Sequence, residues 1–260
     1  MENIIAVEIG NTNVVLGIYR NDSLLRSFRI SSTKCYTKDE LYVLISSFLE
    51  KVGLKFQDVT ALLISSVVPS LTDIFFAFTK SYFSFEPFVL SSKDISFKTA
   101  LDNEKELGED RIANVIAALE KYSPPFLIVD LGTATTFCLV DEKSTYLGGA
   151  IAPGIGISFE ALMKKAARLN ETKIEKPTTL LGKNTKDSLN IGFYYGFLKM
   201  VDGLVIQFKE ILTMNTKSKV LVIATGGFSE FLAKDSLTID VVEPFLTLEG
   251  LRLCYLRNKK

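Results

Sequence analysis

The feature that most restricts how this chain folds is a unit that occurs twice. Ile4 to Ile9 is an apolar run ending at Gly10-Asn11-Thr12-Asn13, a turn-forming cluster, and Val14 to Tyr19 is a second run. Asn21-Asp22 turns the chain into Leu24 to Ile30, so the first 30 residues read as a three-strand meander. Thr37 and Glu40 then form a capping box. Leu41, Leu44, Ile45, Phe48, Leu49 and Val52 follow at helical spacing, and Gly53 stops the helix. A strand near Thr60 to Ser65, a helix from about Ser70 and a short strand near Pro87 to Leu90 complete the order βββαβαβ.

After a helix that begins near Asp110 and breaks at Ser123-Pro124-Pro125, the same order returns. Phe126 to Leu131, Thr136 to Asp141 and Tyr146 to Ile151 read as strands. Helices are expected from about Ser158 to Leu169 and from about Lys186 to Leu212. A strand at Val220 to Ala224, a short helix, a strand at Thr238 to Val242 and a terminal helix close the chain. The expected architecture is α/β, with two duplicated domains over 1–118 and 119–260 around a nucleotide cleft.

The two halves also match at their first turns. Glu8-Ile9-Gly10-Asn11-Thr12 and Asp130-Leu131-Gly132-Thr133-Ala134-Thr135 each place an acid at a strand end, then one apolar residue, a glycine and a hydroxyl or amide cluster. Glycine permits close backbone approach, so successive N–H groups can point at phosphate oxygens, with Thr and Asn side chains as neutral donors. The carboxylates would repel phosphate themselves but suit the Mg²⁺ or K⁺ that neutralises it. As single features, both acids also read as ordinary turn carboxylates. Thr225-Gly226-Gly227, between a strand and a helix, would let an adenine or ribose lie against the backbone, although such corners are frequent. Gly182-Lys183-Asn184-Thr185 is rejected as a Walker A loop. Asn184 follows the lysine where Ser or Thr is required, and Pro177 stands where the first glycine belongs.

Composition removes other chemistries. The chain has no histidine, which excludes Ser-His-Asp and Cys-His catalysis and His-ligated metals. Acid–base work falls to carboxylates, Lys, Tyr or Cys, and any metal site to oxygen ligands. Thirty basic residues balance 30 acidic ones, so no net field recruits nucleic acid or an acidic membrane. Glu2 stands where a signal peptide would be basic, and no apolar run approaches the roughly 18 residues that span a bilayer. Cys35, Cys138 and Cys254, without CxxC spacing, read as reduced thiols of a cytoplasmic protein.

Seven blocks in order make the chain recognisable. They are Gly10 to Asn13, Ser65-Ser66-Val67-Val68-Pro69, Gly108 to Asn114, Asp130 to Thr136, Gly148 to Gly154, Gly182 to Thr185 and Thr225-Gly226-Gly227. The chain resembles type III pantothenate kinase, of the actin-like ATPase superfamily, which has two ribonuclease-H-like domains. The resemblance implies ATP and pantothenate as substrates, a divalent cation such as Mg²⁺, activation by K⁺ or NH₄⁺, and a homodimer. It implies Asp110 as general base, with Leu101, Gly108, Glu109, Arg111 and Thr185 around pantothenate and Arg111 facing the substrate carboxylate. It places ATP on Glu8, Ile9, Gly10, Asn11, Thr12, Asn13, Val14, Val15, Thr133, Gly226 and Gly227. Asp130 would hold the monovalent cation and Glu8 the divalent one.

Two positions depart from the family pattern. Glu8 stands where Asp is usual, advancing the carboxylate by about 1.5 Å. Leu101 stands where many members have Tyr, keeping an apolar wall but losing a hydroxyl. The first departure suggests an alternative: a nucleotide-binding regulator on the same scaffold. The retained Asp110, Arg111 and Thr185 argue against it, because a regulator needs no substrate base. A sugar or acetate kinase of this fold is a third reading, opposed by the Gly108-Glu109-Asp110-Arg111 block. The long helix, apolar around most of its circumference and carrying Gly192, Gly196 and Gly203, reads as core or as dimer interface.

Overall fold

The computed structural model describes residues 2–165, 173–214 and 218–259. The chain divides into two compact units. One comprises Met1–Ser96, Asp102–Lys121 and Leu246–Lys260, and the other Phe97–Leu101 and Tyr122–Phe245.

In the first unit, β1 (Asn3–Ile9), β2 (Asn13–Arg20) and β3 (Ser23–Ser31) form the expected antiparallel meander. Helix α1 (Lys38–Glu50) carries the chain to β4 (Ala61–Ser66), and α2 (Pro69–Tyr82) carries it to β5 (Phe88–Val89). Both later strands run parallel to β1, giving the sheet order β3-β2-β1-β4-β5. Strand β1 is buried along Ile4, Ile5, Ala6 and Val7 without alternation, as a central strand covered on both faces must be. Ile5, Val7 and Ile9 pack in one core with Leu41 and Ile45 of α1 and Phe75 and Phe78 of α2.

Two further helices join this unit from distant parts of the sequence: α3 (Glu109–Lys121) and α7 (Leu246–Asn258). They pack on each other so closely that a Cβ at Gly250 would lie 1.8 Å from the Ala113 carbonyl oxygen. Thr247 Oγ1 donates to Asn114 Oδ1 at 2.9 Å, and the buried Arg252 donates to Asp22 and Glu249, both at 2.7 Å. The chain passes between the units at Ser96–Phe97, Leu101–Asp102, Lys121–Tyr122 and Phe245–Leu246, where the sequence suggested one division at 118/119. The terminal helix, by contrast, packs with the first unit.

The second unit repeats the topology. Strands β7 (Phe126–Leu131), β8 (Ala134–Val140) and β9 (Thr145–Pro153) form the meander, and β10 (Leu221–Thr225) and β11 (Val241–Val242) lie parallel beyond β7. The order β9-β8-β7-β10-β11 reproduces β3-β2-β1-β4-β5 position for position, the duplicated ribonuclease-H-like arrangement. A two-residue strand, β6 (Lys98–Thr99), adds to the outer edge of β9. Between β9 and β10 run α4 (Ile155–Lys165) and the 29-residue α5 (Thr185–Thr213), and α6 (Ser229–Ala233) joins β10 to β11.

Two expectations are corrected. Helix α4 starts at Ile155, before the expected Ser158, and its expected end at Leu169 lies outside the described residues. The strand expected from Thr238 is confined to Val241–Val242. The buried carboxylate of Asp202 on α5 accepts from Ser236 Oγ, Thr238 Oγ1 and the Leu237 N–H, which holds those residues in a loop. Helix α5 is long and apolar enough by length and composition to cross a membrane, with a mean hydropathy of 1.2 over 18 residues, although Lys199 and Asp202 interrupt its apolar run. Its Tyr194, Leu198, Val201 and Val205 pack instead in the core of the second unit with Leu127 and Val129 of β7.

Candidate active site

The two acid-glycine turns occupy equivalent places in the two sheets. Glu8 and Asp130 are each the penultimate residue of a central strand, paired antiparallel with Val15 and Thr136 and parallel with Ser65 and Thr225. Both are half-buried in otherwise buried strands. The strand-ending carbonyls are used alike: Ile9 O accepts from Val67 N–H and Leu131 O from Phe228 N–H, both at 3.0 Å. Each turn is closed by its glycine. Gly10 N–H donates to Asn13 O at 3.0 Å, and Gly132 N–H donates to Ala134 O at 3.1 Å. The second turn is one residue shorter between its strands, since Ile9 pairs with Val14 but Leu131 with Thr135.

In the first unit, Thr12 O accepts from Ser32 N–H at 3.0 Å, pinning the loop to the end of β3. Asn11 and Asn13 are exposed, so their amides stand ready as donors. Downstream of β4, Ser66 Oγ receives the Val68 N–H at 3.1 Å and a hydrogen bond from Thr72 at 2.7 Å. These bonds order the entry to α2, where Pro69 takes the first helical position.

In the second unit, glycines pack around Asp130. Gly226 has φ +87°, and a Cβ there would lie 2.4 Å from Asp130 Oδ1; one at Gly132 would lie 3.3 Å from the same atom. Gly154, just before α4, fits against the turn so tightly that a Cβ would meet Thr133 O at 2.3 Å and Gly132 O at 2.4 Å. Thr135 Oγ1 beside this turn is buried and has no hydrogen-bond partner among the described residues. Sequence reasoning quoted Gly154 and Thr135 only inside longer blocks and gave neither a task of its own. The Pro153-Gly154 pair before a helix was the available signal for the first, and the hydroxyl cluster for the second.

Gly108, Glu109, Asp110 and Arg111 come together at the start of α3, all half-buried. Asp110 Oδ1 accepts the Arg111 N–H at 2.8 Å, and Arg111 Nη2 donates to Glu106 O at 3.1 Å, which holds the guanidinium across the helix start. Two other expected substrate residues belong to the second unit. Leu101 follows β6, with its Cδ2 3.8 Å from the Cβ position of Gly148. Thr185 is the exposed first residue of α5. Asn184 is the cap of α5, accepting the Asp187 N–H at 2.9 Å, a helix-capping use that agrees with the rejection of a Walker A loop. Next to Thr185, Lys186 pairs with Glu175 at 2.8 Å, a hydrogen bond that holds the carboxyl below its ordinary range and the ammonium above.

Residues 4–207 match the sequence profile of type III pantothenate kinase. The chain belongs to the type III pantothenate kinase family. A type III pantothenate kinase from Geotalea uraniireducens is 43% identical over 99% of both chains, and one from Halalkalibacterium halodurans is 42% identical over 98% of this chain and 99% of its own. Two solved structures share the fold. A putative Baf family transcriptional activator from Campylobacter jejuni aligns with TM-score 0.59 at 21% identity, covering 98% of both chains. A putative N-acetylmannosamine kinase from Listeria monocytogenes aligns with TM-score 0.51 at 14% identity, covering 99% of this chain and all of that one. At such identities the likeness concerns the fold. Among the described residues no cluster of three or more His, Cys, Asp or Glu side chains is placed to hold a metal by itself.

Proposed function

We infer that this chain transfers the γ-phosphoryl group of ATP to the hydroxyl of pantothenate, giving 4′-phosphopantothenate, the first step of coenzyme A synthesis. The observation that carries this reading is the nearly full-length match to type III pantothenate kinases, with Asp110 and Arg111 held together at the start of α3. Phosphoryl transfer is achieved by positioning and charge neutralisation, so a chain without histidine is equipped for it.

Each group has an assigned task. The turn from Glu8 to Val15 and Thr133 bind the phosphates, and Gly226 and Gly227 lie against the nucleoside. Arg111 pairs with the pantothenate carboxylate, supported by Gly108, Glu109, Leu101 and Thr185. Asp110 accepts the hydroxyl proton as the new P–O bond forms.

The donor set fits the cations that the family implies. Mg²⁺ commonly keeps its waters and takes one or two carboxylates besides the phosphates, a role within reach of Glu8 without a three-ligand cage. When bound, it neutralises charge on the transferring group. Asp130 offers a carboxylate oxygen of the hard kind that K⁺ or NH₄⁺ takes. We place the enzyme in the cytoplasm as a homodimer. In support, an apolar groove of about 320 Å³ runs along α4 and α5, where a Cβ at Gly192 or Gly196 would meet nothing within 4 Å. The regulator reading is not favoured, since relatives matched over 98–99% of this chain carry the kinase name.

The test is ADP release with ATP, Mg²⁺ and pantothenate, with and without K⁺, for wild type, Glu8→Asp and Asp110→Asn. The expected outcome is pantothenate-dependent, K⁺-stimulated turnover in wild type that Asp110→Asn abolishes. Glu8→Asp measures what the longer arm costs, on a scale where about 1 Å of misplacement corresponds to about 100-fold in rate. Turnover absent from wild type but present in Glu8→Asp would overturn the reading in favour of a disabled scaffold.

A further inference from the structure

We propose that Gly108 is a positioning residue for Asp110: the space left by its missing side chain and the Arg111 amide together fix Oδ1, so that Oδ2 is the oxygen that takes the substrate proton. The proposal rests on Asp110 being the base, as inferred above.

Three observations lead to it. A Cβ at Gly108 would lie 2.7 Å from Asp110 Oδ1, closer than real Cβ contacts come, so any side chain there pushes the carboxylate out of its place. That same Oδ1 accepts the Arg111 N–H at 2.8 Å, while Oδ2 has no hydrogen-bond partner among the described residues. The carboxylate is therefore held by one oxygen and presents the other.

The third observation concerns why glycine stands at 108 at all. Positive φ among the glycines is found at Gly53, Gly148 and Gly226, and not at Gly108, so the backbone there is open to any residue. Gly108 O accepts the Ile112 N–H at 3.0 Å, which makes 108 the residue before the first turn of α3. At that position Ser, Asn and Asp stabilise a helix better than glycine does. Neither backbone conformation nor helix stability accounts for the glycine; room for the Asp110 carboxylate does, beside the place that Gly108 has next to pantothenate.

In the reaction the hydroxyl O–H bond breaks and its proton passes to Oδ2. The hydroxyl oxygen's electron pair forms the new bond to the γ-phosphorus, and the bond from that phosphorus to its bridging oxygen breaks with its pair leaving on ADP. A carboxylate rotated off the Arg111 amide would present the wrong oxygen or the wrong angle. Misplacement of that order lowers rate without requiring any loss of binding.

The experiment uses Gly108→Ala and Gly108→Ser, each alone and combined with Asp110→Ala, which removes the atoms that a new side chain would strike. Steady-state kinetics on the single variants should show kcat lowered by about 10- to 100-fold. Their KM for ATP should stay within about twofold. Calorimetry in the Asp110→Ala background reads what a side chain at 108 costs pantothenate as a contact, and the fall in kcat/KM of the single variants should exceed that cost by about 10-fold or more. A kcat near wild type would overturn the proposal, as would a fall in kcat/KM no larger than the affinity lost in the Asp110→Ala background, which would leave Gly108 only a wall of the substrate pocket. Loss of the folded state in both single variants would also overturn it, by making the glycine structural. A wild type without pantothenate-dependent turnover, or an Asp110→Ala variant as active as wild type, would instead sink the underlying kinase reading, and is told apart by those two controls alone.

Discussion

Asp130 and Gly226 are 96 positions apart in the chain, yet each limits what the other can be. The glycine sits at φ +87°, where an L side chain is strained, and its Cβ would fall 2.4 Å from Asp130 Oδ1 and 2.7 Å from the Leu131 carbonyl carbon. Gly226→Ala therefore meets backbone as well as a movable carboxylate. Strain and overpacking together should cost about 2–5 kcal/mol, read as a lower urea midpoint with an unchanged slope. Turnover should fall as well, because the carboxylate has to leave its place. An alanine variant with wild-type stability and rate would show that the close packing at Asp130 is not needed. The acid-glycine signature of both turns was legible in the sequence, since it lies within six consecutive residues. The pressure of Gly226 on Asp130 was not, because it depends on β7 and β10 running side by side.

Elements that carry their own signals were the readable ones. The capping box of α1 forms as the residue types suggest: Thr37 N–H donates to Glu40 Oε2 at 2.9 Å, and Glu40 N–H to Thr37 Oγ1 at 3.2 Å. The Thr37 amide, and then Lys34, hold the Glu40 carboxyl below its ordinary value of 4.5. A depressed carboxyl contributes stability that is present above the unfolded value and is lost as pH falls through the folded one. The melting temperature of wild type should thus exceed that of Glu40→Ala at pH 7, and the gap should narrow as pH drops from about 5 to below 4. A gap that stays constant with pH would mean that the ionised carboxylate contributes nothing. By contrast, the strand expected at Thr238 failed because Asp202, 36 residues away, captures the hydroxyls and amide of that segment. Strand β6 is two residues long and defined only by its partner β9, so no periodicity could announce it.

At the scale of the molecule, the duplicated sheet order was recoverable because each half repeats its strand pattern within about 130 residues. The attachment of α7 to the first unit was not, because its contacts with α3 and the β2–β3 turn join sites up to 230 residues apart. The apolar groove on α4 and α5 belongs to the same scale. Sedimentation equilibrium at micromolar concentration should give twice the 28.9 kDa chain mass, and a value of one chain mass would remove the homodimer. The return of α7 also sets an order of events during synthesis. Every residue of the second unit precedes Leu246, whereas the first unit still lacks the helix that packs on α3 until the ribosome has passed Leu246–Asn258. The unit begun before its companion is thus completed after it, and until α7 emerges β1 and α3 wait without the helix that packs on both.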